Sequence, residues 1–331
     1  MIYLAMSFFK MWCIMLSILC LGNISYRPCK NKPPAFLVSA LSNPAKSTHL
    51  NAIEKLLFSG RLSTIEESVN RKFKTKYGPN IKPDLVIIFP GAGGRDQFTD
   101  ELEETIKRSD RKQGLTKPSN ERLITTYDWI EHRGNVLTAA FDSEAVGEGV
   151  ARGIIESRHK IEIESSSYQP IRSIHCIGVS VGAFAANVCA RSLKKAHANS
   201  DASPHVRLTL LDPFCSRGLW GNQYGENNFG LDVDYAEQYL NTDDPVPSTN
   251  EPLSHCTCID VTNAKEREQF ALVIPDNETM HCWPLVYFAR FGYESCLFAV
   301  EDKQKKPNQL NIGLLSHGNN GCSERGTKII I

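Results

Sequence analysis

Short apolar runs rich in β-branched residues recur along this chain, and segments with helical periodicity separate them. The clearest run is Asp84-Leu-Val-Ile-Ile-Phe89, which is typical of a strand buried on both faces. Further strands are predicted at 122–127, 173–177 and 205–211, with later candidates at 238–240 and 255–261, and helices at 99–107 (capped by Thr99), 139–157 and 181–195. This alternation predicts an α/β fold with a mainly parallel sheet and helices on both faces.

The two ends of the chain differ in composition from this central part. Residues 1–25 contain an apolar run from Met11 to Gly22 preceded by Lys10, which predicts a signal peptide or an N-terminal anchor. Residues 26–53 contain no Asp or Glu, which predicts a transit-like segment or a propeptide. We expect one domain over 54–300 and a polar C-terminal tail over 301–331. The expected location is the secretory pathway, as a secreted or membrane-associated protein, or a plastid reached through a bipartite leader.

Charge and cysteine spacing argue against two kinds of site. The chain has 37 Lys and Arg and 37 Asp and Glu, whereas a nucleic-acid-binding domain normally carries a basic excess. Its 11 cysteines form no paired CxxC pattern, so a structural zinc site is not expected.

The central functional signal is Gly178-Val-Ser-Val-Gly182, between a predicted strand and a predicted helix. A GxSxG sequence alone is common, but between a strand and a helix it predicts a sharp turn that lifts the serine hydroxyl above the sheet edge. The N-terminus of the following helix favours negative charge at that place. We therefore predict that Ser180 is a nucleophile; the alternative interpretation is a tight turn that merely contains a serine.

A nucleophilic serine needs a base, and the base needs an orienting acid. Of the nine histidines, His281 is the best placed, since it follows an irregular stretch late in the chain and precedes an aromatic segment. The alternative is a histidine that packs or hydrogen-bonds locally. Asp212, which ends a predicted strand before Pro213, is the favoured acid, unless it only caps a turn. Asp243 and Asp244 are the alternative acids.

Two backbone N–H groups would complete an oxyanion hole. Val181, the residue after the serine, supplies the first. Ala92 supplies the second, in the Gly-rich loop Phe89-Pro-Gly-Ala-Gly-Gly94 after the first predicted strand. No Gly-Lys-Ser/Thr follows this loop, which argues against a phosphate-binding loop and leaves a plain tight turn as the alternative.

Apolar side chains follow the favoured acid. Phe214, Leu219 and Trp220 are expected at the rim of the substrate site, because aromatic residues at a pocket mouth suit an acyl chain or a membrane interface. The alternative is that these residues pack their loop onto the core.

Residues 84–212 resemble the α/β-hydrolase superfamily and, within it, the pancreatic-lipase-like branch of lipases and esterases. The resemblance rests on Phe89-Pro-Gly-Ala92, Tyr127-Asp-Trp129, the GxSxG segment within 174–183, Leu211-Asp-Pro213, and His281 with Tyr287. Val179 and Pro90 depart from it, since the family usually has His at both places.

The resemblance implies a serine hydrolase of carboxylic esters, acting on acyl lipids through a Ser-Asp-His triad and an acyl-enzyme. An acyltransferase with the same triad and a non-catalytic lipid- or protein-binding relative are the alternatives. No metal or organic cofactor is expected. The expected partners are an acyl-lipid or ester substrate and a membrane or lipid interface, without nucleic acid, and the oligomeric state is open.

Overall fold

The computed structural model describes residues 52–112, 122–135, 137–164, 169–198, 203–219, 221, 223–246, 249–274, 279–293 and 328–331. The predicted leader, nearly all of the transit-like segment and residues 301–327 of the expected tail lie outside this part of the chain.

A single parallel sheet of seven strands forms the centre of the described structure, in the order β2-β1-β3-β4-β5-β6-β7. Every neighbouring pair is parallel. The strands are β1 (Asp84–Phe89), β2 (Leu123–Thr126), β3 (Ser173–Val179), β4 (His205–Leu211), β5 (Tyr235–Leu240), β6 (Thr257–Asp260) and β7 (Lys328–Ile330). The predicted parallel sheet is therefore confirmed.

Helices cover both faces of this sheet. They are α1 (Ser59–Tyr77), α2 (Gln97–Lys112), α3 (Ala139–Glu164), α4 (Gly182–Ala196), α5 (Tyr224–Asn228), α6 (Glu266–Ala271) and α7 (Trp283–Tyr287). Alternate residues of β1 point to opposite faces: Leu85, Ile87 and Phe89 pack with α1, α3 and α4, whereas Val86 and Ile88 pack with α2, α6 and α7. The predicted α/β fold is confirmed.

None of the helices within the described ranges is both long enough and apolar enough to cross a lipid bilayer.

Helix boundaries differ from the predicted ones where a side chain supplies the cap. The Asp96 carboxylate accepts the backbone N–H groups of Phe98 and Thr99, at 3.1 and 2.8 Å. Asp96 therefore caps α2, and the prediction that Thr99 is the cap is wrong. An aspartate is as good an N-cap as a threonine, so the pattern alone did not separate the two.

The last residues of the chain form a strand instead of continuing the expected polar tail. Strand β7 pairs with β6, and the Lys328 ammonium lies 2.7 Å from the Asp260 carboxylate. The β-branched residues Ile329 and Ile330 favour a strand. The polar composition of 302–326 concealed this short run from the sequence interpretation.

Candidate active site

Three of the side chains predicted to carry the chemistry follow the carboxyl ends of three adjacent strands. Ser180 comes directly after β3, Asp212 directly after β4, and Asp244 four residues after β5. Because these strands are parallel neighbours, their carboxyl ends meet at one edge of the sheet, which is where open α/β sheets bind ligands.

Ser180 occupies a strained turn between β3 and α4. Its φ of 51° lies in the left-handed region, which costs a residue with a side chain about 1–2 kcal/mol. Three backbone hydrogen bonds hold the turn: the Ser180 N–H donates to Leu211 O at 3.0 Å, and the Ser180 carbonyl accepts from Ala183 and Phe214, both at 3.1 Å. Strain maintained in this way is characteristic of functional sites.

The two glycines of the GxSxG sequence allow this turn to pack closely. A Cβ atom at Gly178 would lie 2.6 Å from the Cα of Ala183, and one at Gly182 would lie 2.4 Å from the carbonyl oxygens of Phe89 and Pro90. Neither position has room for a side chain. The glycines therefore bring α4 and the β1 loop against the serine.

The His281 ring is held by two carboxylates rather than one. Its Nδ1 lies 3.0 Å from Asp212 Oδ2 and 2.7 Å from Asp244 Oδ2. The structure thus brings the favoured acid and one alternative acid together on one nitrogen. Asp243 lies apart from them: its carboxylate is exposed and pairs with Arg267 at 2.9 Å.

Both carboxylates are themselves oriented by hydrogen bonds. The Asn241 backbone N–H donates to Asp212 Oδ1 at 3.2 Å. The buried Thr249 hydroxyl donates to Asp244 Oδ2, and the Val246 N–H donates to its Oδ1 at 3.0 Å. These bonds fix the two acids before any substrate binds.

The backbone around His281 is also fixed. The Thr279 hydroxyl oxygen accepts the His281 N–H at 3.3 Å, and the Asn241 side-chain amide donates to Met280 O at 3.1 Å. With Nδ1 bound by carboxylates and the side chain 19% exposed, Nε2 is the nitrogen available to a reacting group.

Burial and opposite charge shift the pKa values of these three groups in different directions. Burial would lower the pKa of His281, but the hydrogen bonds and charges of Asp212 and Asp244 outweigh it and raise that pKa to about 9. Burial raises the pKa of Asp212 to about 7, against the opposing effect of His281. Burial also tends to raise the pKa of Asp244, but its hydrogen bonds with His281 and Thr249 outweigh burial and lower it. Asp244 therefore carries its negative charge more readily than Asp212 does.

The same cluster is the place where the described residues could hold a cation. One atom each of Asp212, Asp244 and His281 lies within 4.8 Å of the others, and this is the one such group of three in the described part of the chain. In the present geometry, however, His281 Nδ1 is at hydrogen-bonding distance from both acids. A metal ion would have to replace both of those bonds.

The Gly-rich loop after β1 lies directly against the serine. A Cβ atom at Gly91 would be 3.4 Å from the Cβ of Ser180. The loop closes in a turn in which the Gly94 N–H donates to Gly91 O at 3.0 Å, with Gly94 at a φ of 81°. The Trp129 indole N–H donates to Pro90 O at 2.8 Å, and the Arg133 guanidinium donates to Ala92 O.

The two backbone donors predicted for an oxyanion hole both lie next to this contact. The N–H groups of Ala92 and Val181 donate to no acceptor among the residues that the structure describes. Val181 also stands at the N-cap of α4, where the helix dipole favours negative charge.

The predicted rim residues lie in different surroundings. Phe214 is half-buried and packs against the core that α3 and α4 cover. Leu219 is half-buried, and its N–H donates to the Glu54 carboxylate at 3.0 Å. Trp220 lies outside the described residues. For Phe214, the structure thus matches the interpretation in which the loop packs onto the core.

Several side chains that hold this site carried no signal in the sequence. Ser143 contacts the start of α4, and Thr249 binds Asp244. The Ser143 contact joins α3 to the start of α4, so no local pattern reveals it. Thr249 and Asp244 are five residues apart in the loop after β5, and their spacing matches no known motif. Trp129 was singled out only because its segment resembles the lipase-like branch, and that resemblance predicted no hydrogen-bond partner for its side chain.

Two comparisons with known proteins identified no relative of this chain. No family model matches the chain, and no curated protein matches it either.

Proposed function

We propose that this chain is a serine hydrolase of the α/β-hydrolase type that cleaves carboxylic esters. The observation that carries the proposal is the meeting, at one sheet edge, of a serine in a left-handed turn and a histidine bound by buried carboxylates. The chain order Ser180, Asp212, His281 agrees with the order of the triad in that superfamily. The resemblance of the GxSxG and Leu-Asp-Pro segments adds support.

The proposed reaction begins with attack of Ser180 Oγ on the ester carbonyl carbon. His281 Nε2 accepts the serine proton as the new C–O bond forms. Collapse of the tetrahedral intermediate breaks the bond to the alcohol, which leaves with the proton from His281. Water, deprotonated by the same imidazole, then attacks the acyl-enzyme carbonyl carbon. The second tetrahedral intermediate collapses, the bond from that carbon to Ser180 Oγ breaks, and Oγ takes the proton from His281 as the carboxylic acid leaves. Asp212 and Asp244 stabilise the imidazolium that forms in each half-reaction.

The negative charge that develops on the carbonyl oxygen would be bound by the N–H groups of Val181 and Ala92. Such donors act strongly because they are already oriented, and removing one from an enzyme of this kind costs about 10²–10³ in kcat. In this chain, the bonds from Trp129 and Arg133 to the β1 loop and the clamped turn at Ser180 support that orientation.

The test is covalent labelling by a fluorophosphonate probe, together with turnover of p-nitrophenyl esters. The native chain should be labelled at Ser180, and Ser180→Ala should lose both labelling and turnover while keeping its melting temperature. Loss of a triad serine costs on the order of 10⁶ in kcat in a comparable enzyme. Ser254→Ala, which changes an exposed serine away from the site, is the matched control. Undiminished turnover in folded Ser180→Ala would remove this serine from the reaction.

We further propose an acyl lipid as the substrate and a lipid interface as the partner. The support is the lipase-like resemblance of the triad segments, together with Leu219 and Trp220, which follow the acid closely in the sequence. Turnover should therefore be higher on emulsified or bilayer long-chain acylglycerols than on soluble short-chain esters. Activity confined to soluble esters, and unchanged in Trp220→Ala, would leave a general esterase in place of a lipase.

A further inference from the structure

A buried hydroxyl group on α3 binds backbone groups in the first turn of α4. Ser143 lies near the start of α3 and is fully buried. Its hydroxyl donates to the Val181 carbonyl oxygen at 2.9 Å and accepts the Ala185 N–H at 3.0 Å. These two backbone groups face each other across the first turn of α4. Ser143 therefore joins α3 to the part of α4 that contains Val181.

The neighbouring turn of α3 explains how so short a side chain reaches this place. Gly147 lies four residues after Ser143 and so on the same face of the helix. A Cβ atom at Gly147 would be 2.3 Å from the carbonyl oxygen of Ala185. The two helices are therefore in backbone contact, and a serine hydroxyl is long enough to bind both partners.

The peptide group that bears the Val181 N–H is held on both sides. Its carbonyl oxygen, that of Ser180, accepts from Ala183 and Phe214. In a trans peptide the N–H points opposite to the carbonyl, so the Val181 N–H is directed away from those donors. The carbonyl oxygen of the next peptide group, that of Val181, accepts from the Phe184 N–H at 3.2 Å and from the Ser143 hydroxyl at 2.9 Å. Ser143 thus restrains rotation of the backbone at Val181.

We propose that Ser143 is a positioning residue for the oxyanion hole, because its hydroxyl fixes the orientation of the Val181 N–H. The inference rests on the proposed hydrolase function, which makes that N–H an oxyanion donor. A donor of this kind must lie about 2.7–3.1 Å from the developing charge, and a misplacement of about 1 Å costs on the order of 10²-fold in rate. Substrate binding in the ground state does not depend on this bond to the same degree.

The test compares Ser143→Ala with the native chain. We expect kcat to fall about tenfold with KM unchanged, since the N–H is loosened and not removed. The affinity for a trifluoromethyl ketone should fall by the same factor, because the ketone forms a tetrahedral adduct whose oxyanion occupies the hole. Fluorophosphonate labelling should still reach completion. A purely structural role would lower the melting temperature without this agreement between kcat and ketone affinity.

Ser157→Ala is the matched control. Ser157 is a buried serine of the same helix, and it contacts Gly78 instead of α4. This variant should keep the native kcat and ketone affinity. Ser143→Cys keeps a side chain of similar size and a weak donor, and should fall between Ser143→Ala and the native chain.

The outcomes separate the two proposals. A native chain that the fluorophosphonate does not label overturns the hydrolase itself. A labelled native chain whose Ser143→Ala variant keeps kcat and ketone affinity, or changes only in KM or melting temperature, overturns the positioning role alone. If Ser143→Ala does not fold, native values of kcat and ketone affinity in Ser143→Cys overturn that role.

Discussion

At the scale of single residues, the arrangement that most affects the chemistry is one imidazole nitrogen facing two carboxylates. Asp212 and Asp244 reach His281 Nδ1 from the ends of two adjacent strands. Either carboxylate can select the tautomer with a proton on Nδ1. In the proposed triad, two acids therefore share one role.

Asp212→Asn and Asp244→Asn should each lower kcat, but each by much less than the double variant. The remaining carboxylate still orients His281 in each single variant. In the double variant, loss of the correct tautomer should approach the roughly 10⁴-fold cost known from a serine protease. Steady-state kinetics on a p-nitrophenyl ester measures all three. Asp243→Asn, which changes the exposed acid paired with Arg267, serves as the control and should have native kcat. If one single variant is as inactive as the double, that carboxylate acts alone.

Because two acids raise the pKa of His281, we also expect the reaction rate to be highest at alkaline pH. His281 must be neutral to accept the serine proton, and its pKa is raised to about 9. The rate should therefore fall as the pH drops below that value, with the acidic limb of the kcat/KM profile lying above pH 7. Asp244→Asn removes a hydrogen bond and a charge that raise this pKa, so the limb should move to lower pH. An acidic limb near pH 6.5 in both proteins would contradict the expectation.

The same shift has the opposite effect on stability. A histidine whose pKa rises from 6.5 to about 9 on folding stabilises the folded chain fully below pH 6.5, and this contribution is lost as the pH rises through about 9. The three groups titrate as a coupled set, so the transition belongs to the cluster. The chain should become more active over the same pH interval in which it loses this stabilisation.

At the scale of elements, the contact between α4 and the β1 loop decides the geometry of the site. Gly182 lies against the carbonyl oxygens of Phe89 and Pro90, and Gly91 lies against Ser180. Ser180, the proposed oxyanion donor Val181 and the loop that carries the other proposed donor, Ala92, are thus packed without intervening side chains. Any atom added between them separates the two donors.

Gly182→Ala should therefore damage stability and catalysis together. Its Cβ would overlap two backbone oxygens at 2.4 Å, and overpacking of this kind costs about 1–3 kcal/mol. A melting curve and ester turnover on the same sample measure the two effects. Gly60→Ala is the control, because no atom lies within 4 Å of the added Cβ and alanine favours the helix. Native turnover in Gly182→Ala would show that the helix moves without disturbing the donors.

At the scale of the whole molecule, the sequence predicts the strands and turns whose residues are consecutive along the chain. The run at 85–89 is apolar throughout and the run at 205–211 is rich in Val and Leu, because both faces of these strands are covered, so both could be recognised directly. The turn at Ser180 was also recognisable, since its strand, glycines and helix are consecutive. The contact of Ser143 with α4, and the meeting of Asp212 and Asp244 on His281, depend on residues that folding brings together from distant positions. No local pattern carries that information.

The order of the strands has a consequence for how the chain folds in time. The site combines Ala92, from the loop after β1, with His281, which follows β6, and the serine and acids come from the strands between them. Contacts between residues so far apart form slowly, because the entropy of closing long loops is lost before those contacts form. Helical structure should therefore return early on refolding from denaturant, while reactivity toward a fluorophosphonate should return last. In such an experiment, the time at which labelling of Ser180 returns would measure when the last strands of the sheet have formed.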